Sequence, residues 1–254
     1  MGCVLASACT RSELPSYPAV AGKQEIDLRW QPKAGMRIVH DVVTKIDVSG
    51  DAMRSVPKEQ QKQQTAFTRT ADVTEVGPGF FVVRFGQNGV MLPVTVRFSS
   101  AWSPQQVLFD DPASLSEQDR ARVNSALRQL EEPFLQTAQL FRLWKVGERY
   151  PLDLHLAGLP GATVAGTGTM ALRRVVLIQG REAAEFDWEG TVDFSFSGAT
   201  GQMTVTGREL RDVATGVSVG LVANGRAEFA VRGQPALMDY ETREALNLSN
   251  SALQ

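Results

Sequence analysis

From Glu25 onward, apolar and polar side chains alternate with a period of two along much of the chain. Met36, Ile38, His40, Val42, Thr44, Ile46 and Val48 share one parity; Arg37, Asp41, Lys45 and Asp47 share the other. Such alternation predicts a strand with one buried face, here ended by Ser49-Gly50-Asp51. The polar, Gln- and Lys-rich stretch 51–64 reads as a long exposed loop. Residues 66–76 alternate again, Val76-Gly77-Pro78-Gly79 is a turn by composition, and 80–85 is a strand. Gln87-Asn88-Gly89 forms a hairpin loop to a partner over 90–98. Pro93 cannot donate to a ladder, which predicts an edge or a bulge there.

The middle of the chain changes period. Ser116 with Asp119, or Ser114 with Glu117, makes a capping-box-like start. Val123, Leu127, Leu130 and Phe134 then fall on one helical face. Pro133 breaks or kinks that helix, and a second piece carries Leu135, Ala138, Phe141 and Trp144. Val146-Gly147-Glu148 returns the chain to strands, and the rest reads as an antiparallel meander. Its clearest segment is 185–197, with Phe186, Trp188, Val192, Phe194 and Phe196 on one face and acidic and hydroxyl residues on the other. One dry and one wet face mark an antiparallel sheet. A turn at 197–201 leads into a strand over 202–210, and Val217, Val219 and Leu221 mark another. Asn224-Gly225 reads as a hairpin turn, since both residues tolerate positive φ, with Ala227, Phe229 and Val231 as the returning strand. The expected fold is mainly β: a curved, half-barrel-like antiparallel sheet with a helical insert at about 114–144 packed on its concave face. The expected organisation is an N-terminal segment and flexible tether over 1–24, one β-rich domain over 25–233, and a polar tail over 234–254.

Charge and cysteine content narrow the function classes. The formal net charge is -2, with no basic stripe, which argues against nucleic acid as a partner. The apolar stretches are too short to cross a bilayer as helices. Both cysteines, Cys3 and Cys9, precede the β-rich part, which therefore has no disulfide framework, redox pair or thiol nucleophile.

Leu5-Ala6-Ser7-Ala8-Cys9 resembles the lipobox of bacterial lipoproteins, in which small residues precede a Cys that receives diacylglycerol. The resemblance implies lipidation of Cys9, a signal segment before it, and a membrane anchor on the periplasmic side of the cell envelope. Eight residues precede Cys9, none of them Lys or Arg, and Ala6 stands where that family prefers Leu. Thr10 follows where an Asp would retain an enterobacterial lipoprotein in the inner membrane. Met1-Gly2-Cys3 resembles a myristoylation start, but Ala6 replaces the Ser or Thr that motif requires. The strands–helices–strands order resembles the half-barrel of bacterial lipoprotein carriers. Trp30, Pro32 and Gly35, with Val146, Gly147 and Tyr150, are similar to the W-x-P-x-x-G and VG-x-x-Y steps of an uncharacterised family of exported β-rich proteins.

Candidate chemistry is sparse, and no cofactor or metal is expected. His40 lies on the apolar parity of its strand and reads as a core histidine bonded to backbone, or as a polar group inside a ligand cavity. His155 falls on a polar parity, facing solvent. Glu185, Asp187 and Glu189 share one strand face; the expectation is a solvated surface, the alternative a shared Ca²⁺ or carboxylate chemistry. Asp110-Asp111-Pro112 reads as loop, and Gly166-x-Gly168 lacks the third Gly and the helix of a nucleotide fingerprint. Phe186, Trp188, Phe194 and Phe196, with Phe141 and Trp144, form core or line an apolar pocket. The expected function is a lipid-anchored, non-enzymatic envelope protein that binds a lipid or other apolar ligand. The alternatives are a structural or assembly subunit of an envelope complex, and a hydrolase that needs Glu185, Asp187 or Asp193 to converge with His155.

Overall fold

The computed structural model describes residues 14–54, 56–88, 94–108, 116–117, 138–155, 162–196, 199–231 and 233–253. Its first strands are β1 (Glu25–Asp27), β2 (Arg37–Ser49), β3 (Lys62–Gly77), β4 (Phe80–Gln87), β5 (Val94–Ser99) and β6 (Pro104–Leu108). After the middle come β7 (Leu143–Lys145), β8 (Arg149–His155), β9 (Ala162–Ile178), β10 (Arg181–Phe196), β11 (Ala199–Asp212), β12 (Ser218–Val231) and β13 (Gln234–Leu246). Eleven strands form one antiparallel sheet in the order β6-β5-β4-β3-β2-β13-β12-β11-β10-β9-β8, and β1 pairs with β7 apart from it. Two meanders are thus joined where the last strand meets the first long one, with Thr242 opposite Thr44. The sheet is not closed: β6 and β8 are its edges. The two-residue turn Gln179-Gly180 between β9 and β10 has φ of 50° and 79°, the paired positive values that match the twist of such a hairpin.

The sheet is nonetheless strongly curled. β5 and β11 stand six places apart in the strand order, roughly 29 Å in a flat sheet at ~4.8 Å per strand. Yet the Phe141 ring lies 5.7 Å from the ring of Trp102, which follows β5, and 6.0 Å from the guanidinium of Arg211 on β11. The Trp102 ring and the Arg211 guanidinium therefore lie within about 12 Å of each other across one aromatic ring. The register puts both large core clusters on the same, concave face. Leu152, Leu154, Met170, Leu172, Phe186 and Met203 form one; Ile38, Val73, Phe81, Val83, Val96 and Phe98 form the other. Ile26, Leu28, Leu140 and Trp144, from β1, β7 and their flanks, complete the first. The aromatics Trp30, Trp102 and Phe141 bridge the two, with centroid distances of 5.1 to 6.4 Å.

Several expectations are corrected. Of the helical insert, residues 118–137 lie outside the described residues. Within its described part, Leu143–Lys145 is a strand, so Trp144 enters the core opposite Ile26 of β1 and not from a helix. Three residues are too few to separate a period of two from one of 3.6. No helical insert packs on the sheet among the described residues, where the only complete α-helix is the single turn α1 (Lys58–Gln61). The stretch 51–64, read as loop, holds α1 and the start of β3, whose first five residues are exposed on both faces and show no alternation. Asn224-Gly225 is not a turn but mid-strand in β12. Gly225 lies under the Met203 side chain: a Cβ there would lie 2.9 Å from Met203 Sδ. The tail is likewise corrected: Gln234–Leu246 is β13, a central strand. Of the tether, residues 14–23 lie against the sheet: the Leu177 amide donates to Pro18 O, the Val20 amide donates to Val175 O, and Lys23 pairs with Glu182 at 2.7 Å.

Candidate functional site

The concave face carries a polar cluster inside its apolar lining. His40 on β2, Glu244 on β13, and Glu209 and Arg211 on β11 all project from the core parity and are each no more than 9% exposed. Arg69 on β3, opposite His40, extends one guanidinium nitrogen to both oxygens of Glu244 at 2.6 Å. His40 Nδ1 lies 3.1 Å from Glu244 Oε1, and Nε2 lies 2.7 Å from the carbonyl oxygen of Ser218. Both ring nitrogens face oxygen atoms, one of a carboxylate and one of a backbone carbonyl. The expectation of a core histidine bonded to backbone holds, and it has a carboxylate partner besides. Ser218, His40 and Glu244 are the residue types of a hydrolytic triad. However, Nε2 is engaged by the Ser218 carbonyl and not by its hydroxyl, so the imidazole is not set as that hydroxyl's base.

The second half of the cluster is incomplete. Arg211 gives Nη2 to Glu209 at 2.8 Å and Nη1 to the Gly216 carbonyl at 3.0 Å. Its Nε, the hydroxyl of Ser218 and the indole nitrogen of Trp30 are buried without a hydrogen-bond partner among the described residues. Arg211 and Ser218 are opposed across β11 and β12, and the Trp30 ring lies 6.4 Å from the Phe141 ring that Arg211 overhangs. Such groups cost about 1–3 kcal/mol each when left unpaired, so they cluster where something else supplies the partner. Two can only donate and the third can do either; the group they suit is an acceptor oxygen of a carboxylate, phosphate or ester.

Cover is uneven along the concave face. At the end holding Met36, Ile38, Val217 and Leu246 the lining is fully buried. Toward the other end, Thr44, Ile46 and Val48 of β2, Phe67 of β3, and Met238, Tyr240 and Thr242 of β13 share the same face but are only half-buried. Burial raises the Tyr240 phenol above its ordinary pKa, against hydrogen bonds to Thr242 and Thr44 that pull it down.

The convex carboxylates behave differently from the solvated face expected of them. Glu185 is 4% exposed and held by Arg174 at 2.6 Å, Arg208 at 3.3 Å and Arg173 at 3.8 Å. Asp187 shares Arg208 and Arg173, and Glu189 pairs with Arg149. These guanidinium groups fill the places a cation would take, and no three His, Cys, Asp or Glu among the described residues are set to hold a metal. An open cleft of about 410 Å³ lies beside them, lined among others by Leu14, Arg149, Thr206, Arg208 and Asn224. Glu185 and Asp193 are eight residues apart on β10, about 27 Å along a strand. The register places His155 two strands from Asp193, whose carboxylate takes a bond from Gln202; the His155 side chain lies outside the described residues, as do Cys9 and Asp110-Asp111-Pro112. Gly166 and Gly168 are packing glycines, since the backbone of Thr191 and Val192 stands where a Gly166 side chain would go. Phe186 and Trp144 are core, their rings 4.8 Å apart. Sequence reading missed Glu209, Arg211, Ser218 and Glu244; Glu244 was findable, because it shares the parity of Ala236 and Leu246 once 234–246 is read as a strand.

No protein-family model matches the chain, and no curated protein matches it. Among solved structures, a Bacteroides fragilis protein of YmcC-like fold, described as exported, shares 12% identity over 87% of this chain and 99% of its own, with a TM-score of 0.29. Ail, the attachment invasion locus protein of Yersinia pestis, shares 6% over 84% and 99%, with a TM-score of 0.17. An outer membrane channel from Pseudomonas putida F1 shares 10% over 85% and 97%, at 0.23. At these scores the likeness carries no argument about this chain.

Proposed function

We propose that this chain is a non-enzymatic, lipid-anchored protein of the bacterial envelope that holds an amphiphile on the concave face of its sheet. The observation that carries the reading is the set of three unpartnered buried polar groups, on Arg211, Ser218 and Trp30, within an apolar lining. An acceptor oxygen of the ligand satisfies them, and its apolar body lies toward the half-buried Phe67, Ile46 and Met238. The anchor rests on the lipobox-like segment ending at Cys9. The engaged Nε2 of His40 supports binding over turnover. Native mass spectrometry of full-length protein purified from its host tests both parts. The expected result is diacylglycerol on Cys9 and a co-purified acyl compound with an acidic or ester head. Protein that holds nothing, and that also fails to enhance the fluorescence of cis-parinaric acid, sinks the ligand reading.

A further inference from the structure

The first described residues are clipped to the outside of the sheet. Leu14 packs with Val176, Ala183 and Leu210 in a small apolar cluster on the convex face, and Tyr17 joins it. Leu14 Cδ2 comes within 3.3 Å of where a side chain on Gly220 of β12 would start. Behind it, Ala19 bridges to Val176 and the Val20 amide donates to the Val175 carbonyl at 2.8 Å. This cluster abuts the cleft that Leu14 shares with Arg149, Thr206 and Arg208.

The span from Cys9 to Leu14 is short. Five Cα steps reach at most about 19 Å, whatever path they take. The fourteen residues of β12 extend about 48 Å. An acyl anchor on Cys9 therefore cannot let the domain stand clear of the bilayer or turn freely above it. On the surface so held, the guanidinium groups of Arg149, Arg173, Arg174 and Arg208 are paired with the carboxylates of Glu185, Asp187 and Glu189.

We propose that the convex face of β10–β12 around Leu14 is the membrane-facing surface of this protein, set against phospholipid headgroups by the short span to Cys9. The proposal rests on the anchor reading above. It leaves the concave face and its half-buried end turned away from the headgroups nearest the anchor.

The test uses acylated full-length protein from the host, in vesicles of phosphatidylethanolamine and phosphatidylglycerol containing a headgroup-nitroxide lipid. Single cysteines, Thr206→Cys beside the cleft and Gln64→Cys on β3, carry a nitrobenzoxadiazole label. The expected result is several-fold stronger quenching at position 206 than at 64. A Gly/Ser insert of about twenty residues after Thr10, long enough to lift the constraint, should make the two equal. Equal or reversed quenching in the uninserted protein, with acylation confirmed by mass, overturns the face assignment and leaves the anchor standing. Contrast that survives the insert overturns the role of the short span. A chain recovered without an acyl group on Cys9 takes down both.

Discussion

Strand β11 places one arginine on each side of the sheet, and the two are treated oppositely. On the convex side, Arg208 joins Arg173 and Arg174 around Glu185 and Asp187, so each of these two carboxylates has more than one guanidinium. On the concave side, Arg211 has one carboxylate, Glu209, and one carbonyl, and keeps a buried Nε with no partner. The outer network is complete without help, as a device that holds long strands in register would be. The inner one has donors left over in a place where water is scarce. A buried charge network that is fully paired reads as structure; one left short of acceptors reads as a seat for something else.

The outer network should therefore matter most to stability and least to binding. Glu185→Ala leaves three guanidinium groups facing one another without their shared acceptor. Breaking a buried pair costs several kcal/mol, but Arg173, Arg174 and Arg208 are a third to a half exposed and can turn to water. The expected loss is about 3 kcal/mol in urea unfolding, with retention of bound amphiphile unchanged in the folded protein. Loss of the amphiphile without loss of stability would reverse the assignment of the two faces.

Next in size is Gly207→Ala. The Trp188 ring lies where that Cβ would go, on the concave side of β10 and β11. The ring is a rigid neighbour and must be displaced, at a cost of about 2 kcal/mol. The check is a lower urea midpoint together with a shifted tryptophan emission, since the same movement re-exposes the indole.

Acid should act through the turn joining β11 to β12, which borders both networks. Burial pushes the Asp212 carboxyl up, but hydrogen bonds from Arg181 and Thr215, with the Arg181 charge, outweigh it and leave its pKa below the ordinary value. A depressed carboxylate pKa means stability that is fully present above the unfolded value and is lost as pH falls through the folded one. Unfolding midpoints should fall below the normal carboxylate range, and Asp212→Asn should flatten that fall. At neutral pH the same variant should lose about 1–2 kcal/mol, because the Thr215 amide and hydroxyl donate to the carboxylate at 2.8 Å.

How much of this was legible depends on which period the residues display. The long strands β2 and β10 announce themselves, because each alternates apolar and polar side chains along most of its length. The start of β3 is wet on both faces, and β13 hides Glu244 and Thr242 on its inner parity, so neither shows an apolar alternation. Asn224-Gly225 misled for a related reason: Gly225 serves the Met203 side chain crossing it, and sequence does not distinguish a glycine kept for a turn from one kept for space. The inner cluster was the least legible part. His40 comes from β2, Arg69 from β3, Arg211 from β11, Ser218 from β12 and Glu244 from β13, so only the pairing of first and last strands, with the curl, brings them together.

The smallest effect on stability should be the most telling. Ser218 Oγ is buried and bonded to nothing, so Ser218→Ala removes a polar group that gains nothing from folding alone. The expected change in unfolding free energy is between zero and about 1 kcal/mol of stabilisation, since deleting an unsatisfied buried hydroxyl is neutral or favourable. The backbone carbonyl that accepts from His40 is retained, so the neighbouring His40, Glu244 and Arg69 links stay in place. Retention of the amphiphile, in contrast, should fall by about fivefold to tenfold, the worth of one hydrogen bond to the ligand head. A clear loss of stability instead would mean that this hydroxyl already has a partner within the folded chain. The contrast between a complete outer network and an incomplete inner one would then disappear.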